Sequence, residues 1–206
     1  HDFDVAELSF NSYLMATSRS ACPYVAIPAF VSRHFRHSAI FIRTDRNIRG
    51  PADLKGKLVG LPEYQQTAAI WTRGVLQHEF DVKASDMTWF MERNDDRSHG
   101  HSTGFKSPLG VSVSPVPLNS NLGEMLIKRE IDVIVHYIAN NNLVDRSRVD
   151  VAVDPNVRFL FEDREAESAR YYRKTGIYPI NHIMVIKRSV YEQHPWIALN
   201  LYSAFL

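Results

Sequence analysis

The sequence predicts an α/β protein with a largely parallel sheet, on three observations. Apolar runs of strand length alternate with segments of helical period along most of the 206 residues. Gly56, Pro62, Gly176 and Pro195 stand where one pattern gives way to the next. Apolar residues at 45% and charged residues at 23% describe an ordinary globular chain, long enough for one large domain or two small ones.

Val5 to Ser9 reads as a strand, and Asn11 or Ser12 is placed to cap a helix carrying Tyr13, Leu14 and Met15. Tyr24 to Pro28 is a second extended piece before the basic turn Ser32-Arg33-His34-Phe35-Arg36-His37, and Ser38 to Arg43 is the next strand. Pro51 to Leu54 forms a short helical turn that Gly56 stops, and Lys57 to Leu61 is a strand ending at Pro62. Ala68, Trp71, Val75 and Leu76 stand at i, i+3, i+7 and i+8 and make one apolar stripe of a helix running to about Phe80.

Thr88 to Met91 reads as a strand. Residues 93–117, rich in Ser, Gly, Pro, His and charge, lack periodicity and read as a long loop, a length that compact domains keep for function or motion. Leu122, Met125 and Leu126 mark a helix, Ile131 to Val135 a strand ending at His136-Tyr137, and Val157 to Phe161 another strand. A helix from Arg164 to Lys174 ends at Gly176, Ile183 to Lys187 is the last strand, and Pro195 opens a helix with Ile197, Leu201 and Phe205 on one face.

Several classes of function drop out on composition. Twenty-four Lys plus Arg against 23 Asp plus Glu give a net charge of +1, and the basic turn at 33–37 is too short for a nucleic-acid surface. The single cysteine, Cys22, excludes an internal disulfide and a Cys-based zinc cluster and reads as a packed apolar residue. His99 and His101 beside Asp95 and Asp96 have a spacing that fixes no third ligand, so they read as a solvated loop and no metal is expected. No apolar run reaches the roughly 20 residues of a membrane span. The chain opens at His1 with no Met, which reads as a fragment whose natural N-terminus lies outside it.

The stretch from Arg49 through Asp53-Leu54-Lys55-Gly56-Lys57-Leu58-Val59-Gly60 to Pro62 resembles the opening of the second lobe in type II periplasmic-binding-protein folds. Its continuation Glu63-Tyr64-Gln65-Gln66-Thr67-Ala68-Ala69-Ile70-Trp71 is more specific. Taken with Phe3 to Ser9, Phe35 to Ser38, Tyr171 to His182 and Tyr191 to Trp196, it is similar to the 4,5-dihydroxyphthalate decarboxylase family. That resemblance implies two α/β lobes with a ligand cleft between them. Lobe one would comprise 1–46 and 176–206, truncated at both ends, and lobe two 47–175. It further implies a carboxy-lyase acting on a hydroxylated aromatic dicarboxylate, located in the cytoplasm.

Such a reaction needs a proton delivered to the ring carbon that loses CO2, cationic or N–H donors for the retained carboxylate, and polar contacts for the hydroxyls. A ring hydroxyl para to the leaving group can push electrons toward that carbon, so no cofactor is required in principle. His182, in the family-like return from Gly176, is the first candidate acid, against the alternative of a packed histidine at a strand start. His37 is the competing acid. Arg36 beside it has the fork that matches a carboxylate, or is a solvent-facing turn residue. Tyr64, Gln65 and Thr67 lie where a strand meets a helix N-terminus, a place suited to an anion. Ser9, Asn11 and His136 follow strands, at carboxyl ends where open α/β sheets commonly bind ligands. The expected partner is a small aromatic carboxylate, with neither nucleic acid nor membrane. The rival function is a solute-binding protein that captures such an acid for a transporter, which would place it in the periplasm.

Overall fold

A computed structural model describes residues 3–20, 22–93, 106–137 and 146–205. Its contacts divide the chain into two units, His1–His34 with Tyr178–Leu206, and Phe35–Ile177. The strands in chain order are β1 (Val5–Ser9), β2 (Tyr24–Arg33), β3 (Ile40–Arg43), β4 (Leu58–Leu61), β5 (Thr88–Met91), β6 (Ser112–Pro115), β7 (Val133–Val135), β8 (Val157–Phe159) and β9 (Ile180–Lys187). The helices are α1 (Phe10–Ser18), α2 (Thr67–Phe80), α3 (Leu122–Ile127), α4 (Arg164–Thr175), α5 (Arg188–Gln193) and α6 (Trp196–Phe205).

The first unit is built on an antiparallel three-stranded sheet in the order β1-β9-β2. Val5 faces Ile186 and Ser9 faces His182 across the β1–β9 ladder. β2 runs on to Arg33, beyond the extended piece expected to end at Pro28, and its register shifts between Ile27 and Ser32. Pro28 falls in that interval. A residue with no N–H is tolerated there because β2 is an edge strand and the ladder is already interrupted. Ile27, Ala29 and Ile186 form the core with Val190, Tyr191, Ile197 and Leu201 from α5 and α6 packed on it. Phe205, expected on the same face as Ile197 and Leu201, is exposed instead. Cys22 is buried and free.

The second unit holds a six-stranded sheet in the order β6-β5-β4-β7-β3-β8. β6, β5, β4 and β7 are mutually parallel, while β3 pairs antiparallel with both β7 and β8. Alternate strand residues feed two cores: Ile40, Ile42, Val59, Leu61, Trp89, Val133 and Val135 pack with Ala69 and Leu76 of α2. Ile134 and Val157 pack with Leu122 and Leu126 of α3. Both faces of the sheet are therefore covered, which is why these strands read as nearly continuous apolar runs. Gly60 lies on the α3 side, where an added Cβ would stand 2.5 Å from Leu122 Cδ2 and 2.7 Å from Ile131 Cδ1. α4 opens on Asp163, whose side chain accepts from the Ala166 N–H, and closes on Gly176 at φ +69°.

Three expectations change. The boundary of lobe one at residue 46 moves back to His34, because β3 is paired on both edges inside the six-stranded sheet and carries residues 35–46 with it. The loop at 93–117 contains β6, whose pairing with β5 and whose inward Val113 outweigh its Ser and Pro content at a sheet edge. Residues 94–105 of that loop, including Asp95, Asp96, His99 and His101, lie outside the described residues. Finally, α1 starts at Phe10 with Ser9 as N-cap, so Asn11 is inside the first turn and its Nδ2 lies 3.2 Å from Met15 Sδ.

Candidate functional site

In the second unit, β4 runs parallel to β5 and β7, so the segments after these strands emerge at one edge of the sheet. β3 is antiparallel to β7 and Ile40 faces Val135, which brings the 3-10 turn Arg36–Ala39 to that same edge. Arg36, Tyr64, Gln65, Thr67 and His136, read separately from the sequence, are thereby gathered. Arg36 is half-buried, and burial lowers the pKa of its guanidinium. His136 is buried and adopts φ +57°, a left-handed conformation that few side-chain-bearing residues take.

Glu63 and Arg93 belong to this edge as well, although nothing in their sequence surroundings singled them out. Glu63 is fully buried. Its Oε1 accepts from Gln65 Nε2 at 2.5 Å and its Oε2 from Arg93 Nη1 at 3.1 Å. Glu92, next in chain to Arg93 and also buried, accepts from the Leu122 N–H at the start of α3 at 2.7 Å and from Ser147 Oγ at 3.2 Å. Buried carboxylates with this many donors fix the segments they bridge. Two acidic residues on either side of α2 and β5 offer no sequence signal for this, since the pairing is made in three dimensions.

Arg73, nearly two turns into α2, reaches back over the β4–α2 turn. Its guanidinium lies 3.7 Å from the centre of the Tyr64 ring, and Nη1 donates to the Tyr64 carbonyl oxygen at 2.7 Å. Burial pushes Arg73 down to about 10 and the Tyr64 hydroxyl up. Thr67 is the first residue of α2, whose N-cap Gln66 makes no side-chain capping bond.

His37 sits among the rings of Phe35, Tyr171 and Phe161, with centroids 6.4, 5.1 and 6.1 Å away. Its Nε2 donates to Glu167 Oε1 at 3.1 Å, and only 1% of its side chain is exposed. A carboxylate oxygen accepts only, so Nε2 carries the hydrogen. Buried Nδ1 has no hydrogen-bond partner among the described residues. Burial lowers the His37 pKa, outweighing the attraction of Glu167. Glu167 in turn is forked by Arg170, which also reaches Glu79 at 2.9 Å.

The first unit carries the other candidates. Ser9 and His182 stand opposite each other in the β1–β9 ladder, and Asn11 follows two residues later in α1. His182 Nδ1 lies 2.6 Å from Glu7 Oε1, and this pair is well exposed on both sides. Among the described residues no three His, Cys, Asp or Glu side chains are grouped to hold a metal ion. None of the described helices is long and apolar enough to cross a membrane.

This α/β architecture is that of the type II periplasmic binding proteins. The chain superposes with a TM-score of 0.54 and 11% identity on the periplasmic aliphatic sulphonate binding protein SsuA from Escherichia coli, covering 98% of this chain and 54% of that one. The alkanesulfonate-binding SsuA of Xanthomonas axonopodis pv. citri gives the same TM-score and coverage. No family model matches the sequence. At the level of sequence the chain is similar to two proteins named 4,5-dihydroxyphthalate decarboxylase. It is 39% identical over 204 residues to the one from Comamonas testosteroni and 37% identical over 172 residues to the one from Pseudomonas putida. These alignments take in 99% and 84% of this chain and span 60% and 64% of the two relatives' length.

Proposed function

We propose that the protein is a decarboxylase of hydroxylated aromatic dicarboxylates, with 4,5-dihydroxyphthalate or a near analogue as substrate. The observation that carries this reading is the 39% identity to a 4,5-dihydroxyphthalate decarboxylase along 99% of the chain. The gathering of an arginine, a helix N-terminus and polar side chains at one sheet edge is the chemistry a dianionic aromatic acid requires. Arg36 and the turn from Tyr64 to Thr67 hold the retained carboxylate. Within the second unit, Gln65 and His136 supply polar contacts for the ring substituents; in the first unit, Ser9 stands opposite His182, with Asn11 two residues further along the chain.

His182 is the proton donor in this reading. Its ring is on a half-exposed strand face, where a ligand atom can approach, whereas His37 is enclosed by aromatic rings and its one hydrogen-bonded nitrogen is committed to Glu167. His37 therefore suits a structural role. With His182 protonated, the para hydroxyl pushes electrons toward the carboxylated carbon and the ring carbon takes the proton. The C–C bond then breaks with its electrons returning to the ring, and CO2 departs. A cytoplasmic location accompanies this reading.

Incubation of the protein with 4,5-dihydroxyphthalate, with CO2 release and the aromatic spectrum followed together, tests the reading. Tight binding without CO2 release would replace the enzyme with a solute-binding protein, the function of the two structural neighbours, and with a periplasmic location.

A further inference from the structure

We infer that Glu7 is a positioning residue for His182, fixing the imidazole so that Nε2 is the nitrogen that carries the transferable proton. The inference rests on the reading of His182 as general acid and adds a residue to it.

Glu7 pairs with Met184, and Ser9 with His182, in the antiparallel β1–β9 ladder. Directly opposed residues share a sheet face, so Glu7 and His182 are diagonal neighbours on that face, within reach of long side chains. They use that proximity: Glu7 Oε1 lies 2.6 Å from His182 Nδ1, at the short end of charge-assisted hydrogen bonds. An ionised carboxylate can only accept. Nδ1 therefore keeps its hydrogen whether the ring is neutral or charged, and the proton gained and lost is the one on Nε2. Free imidazole has no such commitment, because either nitrogen can hold the hydrogen.

The second carboxylate–histidine pair of the protein shows what the arrangement at Glu7 leaves available. At His37 the carboxylate of Glu167 takes Nε2, and the remaining Nδ1 is buried. At His182 the carboxylate takes Nδ1, while 41% of the His182 side chain stays exposed. One pair closes its histidine off, and the other orients it and leaves it open. Because the ladder fixes both backbones, the orientation requires no movement when substrate arrives.

The test compares Glu7→Gln, Glu7→Leu and His182→Gln, assayed for CO2 release from 4,5-dihydroxyphthalate. Nitrogen-15 spectra of histidine-labelled protein report the His182 tautomer alongside. Loss of the outer partner that orients a metal-ligating histidine typically costs about 10-fold to 100-fold, and a loss of that order is the expectation for Glu7. Glu7→Leu should lose about that much in kcat with KM little changed, and its neutral His182 should shift from the Nδ1–H form to a mixture. The amide oxygen of Glu7→Gln still accepts from Nδ1, so this variant should keep the tautomer and recover much of the turnover. Wild-type kcat in Glu7→Leu, or a loss of kcat with the tautomer unmoved, overturns the role assigned to Glu7. Undiminished turnover in His182→Gln instead overturns the general-acid reading, whatever the Glu7 variants do.

Discussion

Arg73 and Tyr64 clasp the turn between β4 and α2 from both sides of one residue: the guanidinium covers the ring at 3.7 Å and hydrogen-bonds the carbonyl oxygen at 2.7 Å. The Tyr64 ring in turn meets Trp89 edge-on at 5.6 Å, so the turn is tied to β5 through an aromatic contact. The segment that would present Tyr64, Gln65 and Thr67 to an anion is thus held by a residue outside it. Arg73→Met should lower unfolding free energy by about 1–3 kcal/mol, since the carbonyl loses a charged donor. Arg73→Lys should recover little, because an ammonium cannot both stack and reach. Denaturant unfolding that leaves both variants at the wild-type midpoint would show the clasp to be idle.

The Glu63–Arg93 pair should respond asymmetrically to mutation. Removing Arg93 leaves a fully buried carboxylate with one donor fewer, and breaking a buried ion pair from one side typically costs about 3–5 kcal/mol. Arg93→Met is expected in that range by thermal or chemical unfolding. The double variant Glu63→Gln with Arg93→Met should be more stable than Arg93→Met alone, because it removes the buried carboxylate that lost its ion-pair partner. Simple addition of the two single effects would contradict the pairing.

His37 sets a pH limb of stability. Burial lowers its pKa in the folded protein and outweighs the opposing pull of Glu167 and Glu79, with the Arg170 charge acting in the same direction as burial. Unfolded, it titrates near its ordinary value of about 6.5. Between the two values the unfolded chain binds more protons, so stability is full above about pH 6.5 and falls as pH drops toward the folded value. Glu79, held below the usual carboxylate range mainly by the Arg170 hydrogen bond, adds its own loss only further down, below about pH 4.3. His37→Gln should flatten the limb just below pH 6.5 and leave the acid limb in place. Equal slopes in wild type and variant over that window would refute the assignment.

Arg36→Ala should weaken binding of a phthalate-type acid by about 10-fold or more, the equivalent of one charge-assisted hydrogen bond. Calorimetry on the folded variant checks this, and unchanged affinity would remove Arg36 from the site.

How much of this was legible in the sequence follows from the range of the signals. α2 is marked by its local apolar period and ends at Phe80 as read, while α4 is marked by its Gly176 stop and lies within a residue of the reading. The run Ile40-Phe41-Ile42 announced a strand, yet its assignment to the second unit is set by pairing with β7 and β8, which are about 90 and 115 residues downstream. β6 was hidden by Ser and Pro at a sheet edge. The positions Arg36, Tyr64, Gln65, Thr67 and His136 could be nominated because residues after strands and before helices are locally recognisable. Glu63, Arg93 and Glu7 were not, because each is defined by a partner across the fold: Glu7 meets a histidine 175 positions away.

The central claim is that His182 delivers a proton to the ring carbon of a dihydroxylated aromatic diacid, and the most direct measurement is the rate of CO2 release from 4,5-dihydroxyphthalate by wild type, His182→Gln and His37→Gln under identical conditions. A positioned general acid contributes about 100-fold to 10,000-fold in rate. The predicted result is a loss of that size in His182→Gln with substrate binding retained, and a far smaller change in His37→Gln. Retained turnover in His182→Gln beside a collapse in a folded, substrate-binding His37→Gln would contradict it and move the acid to His37.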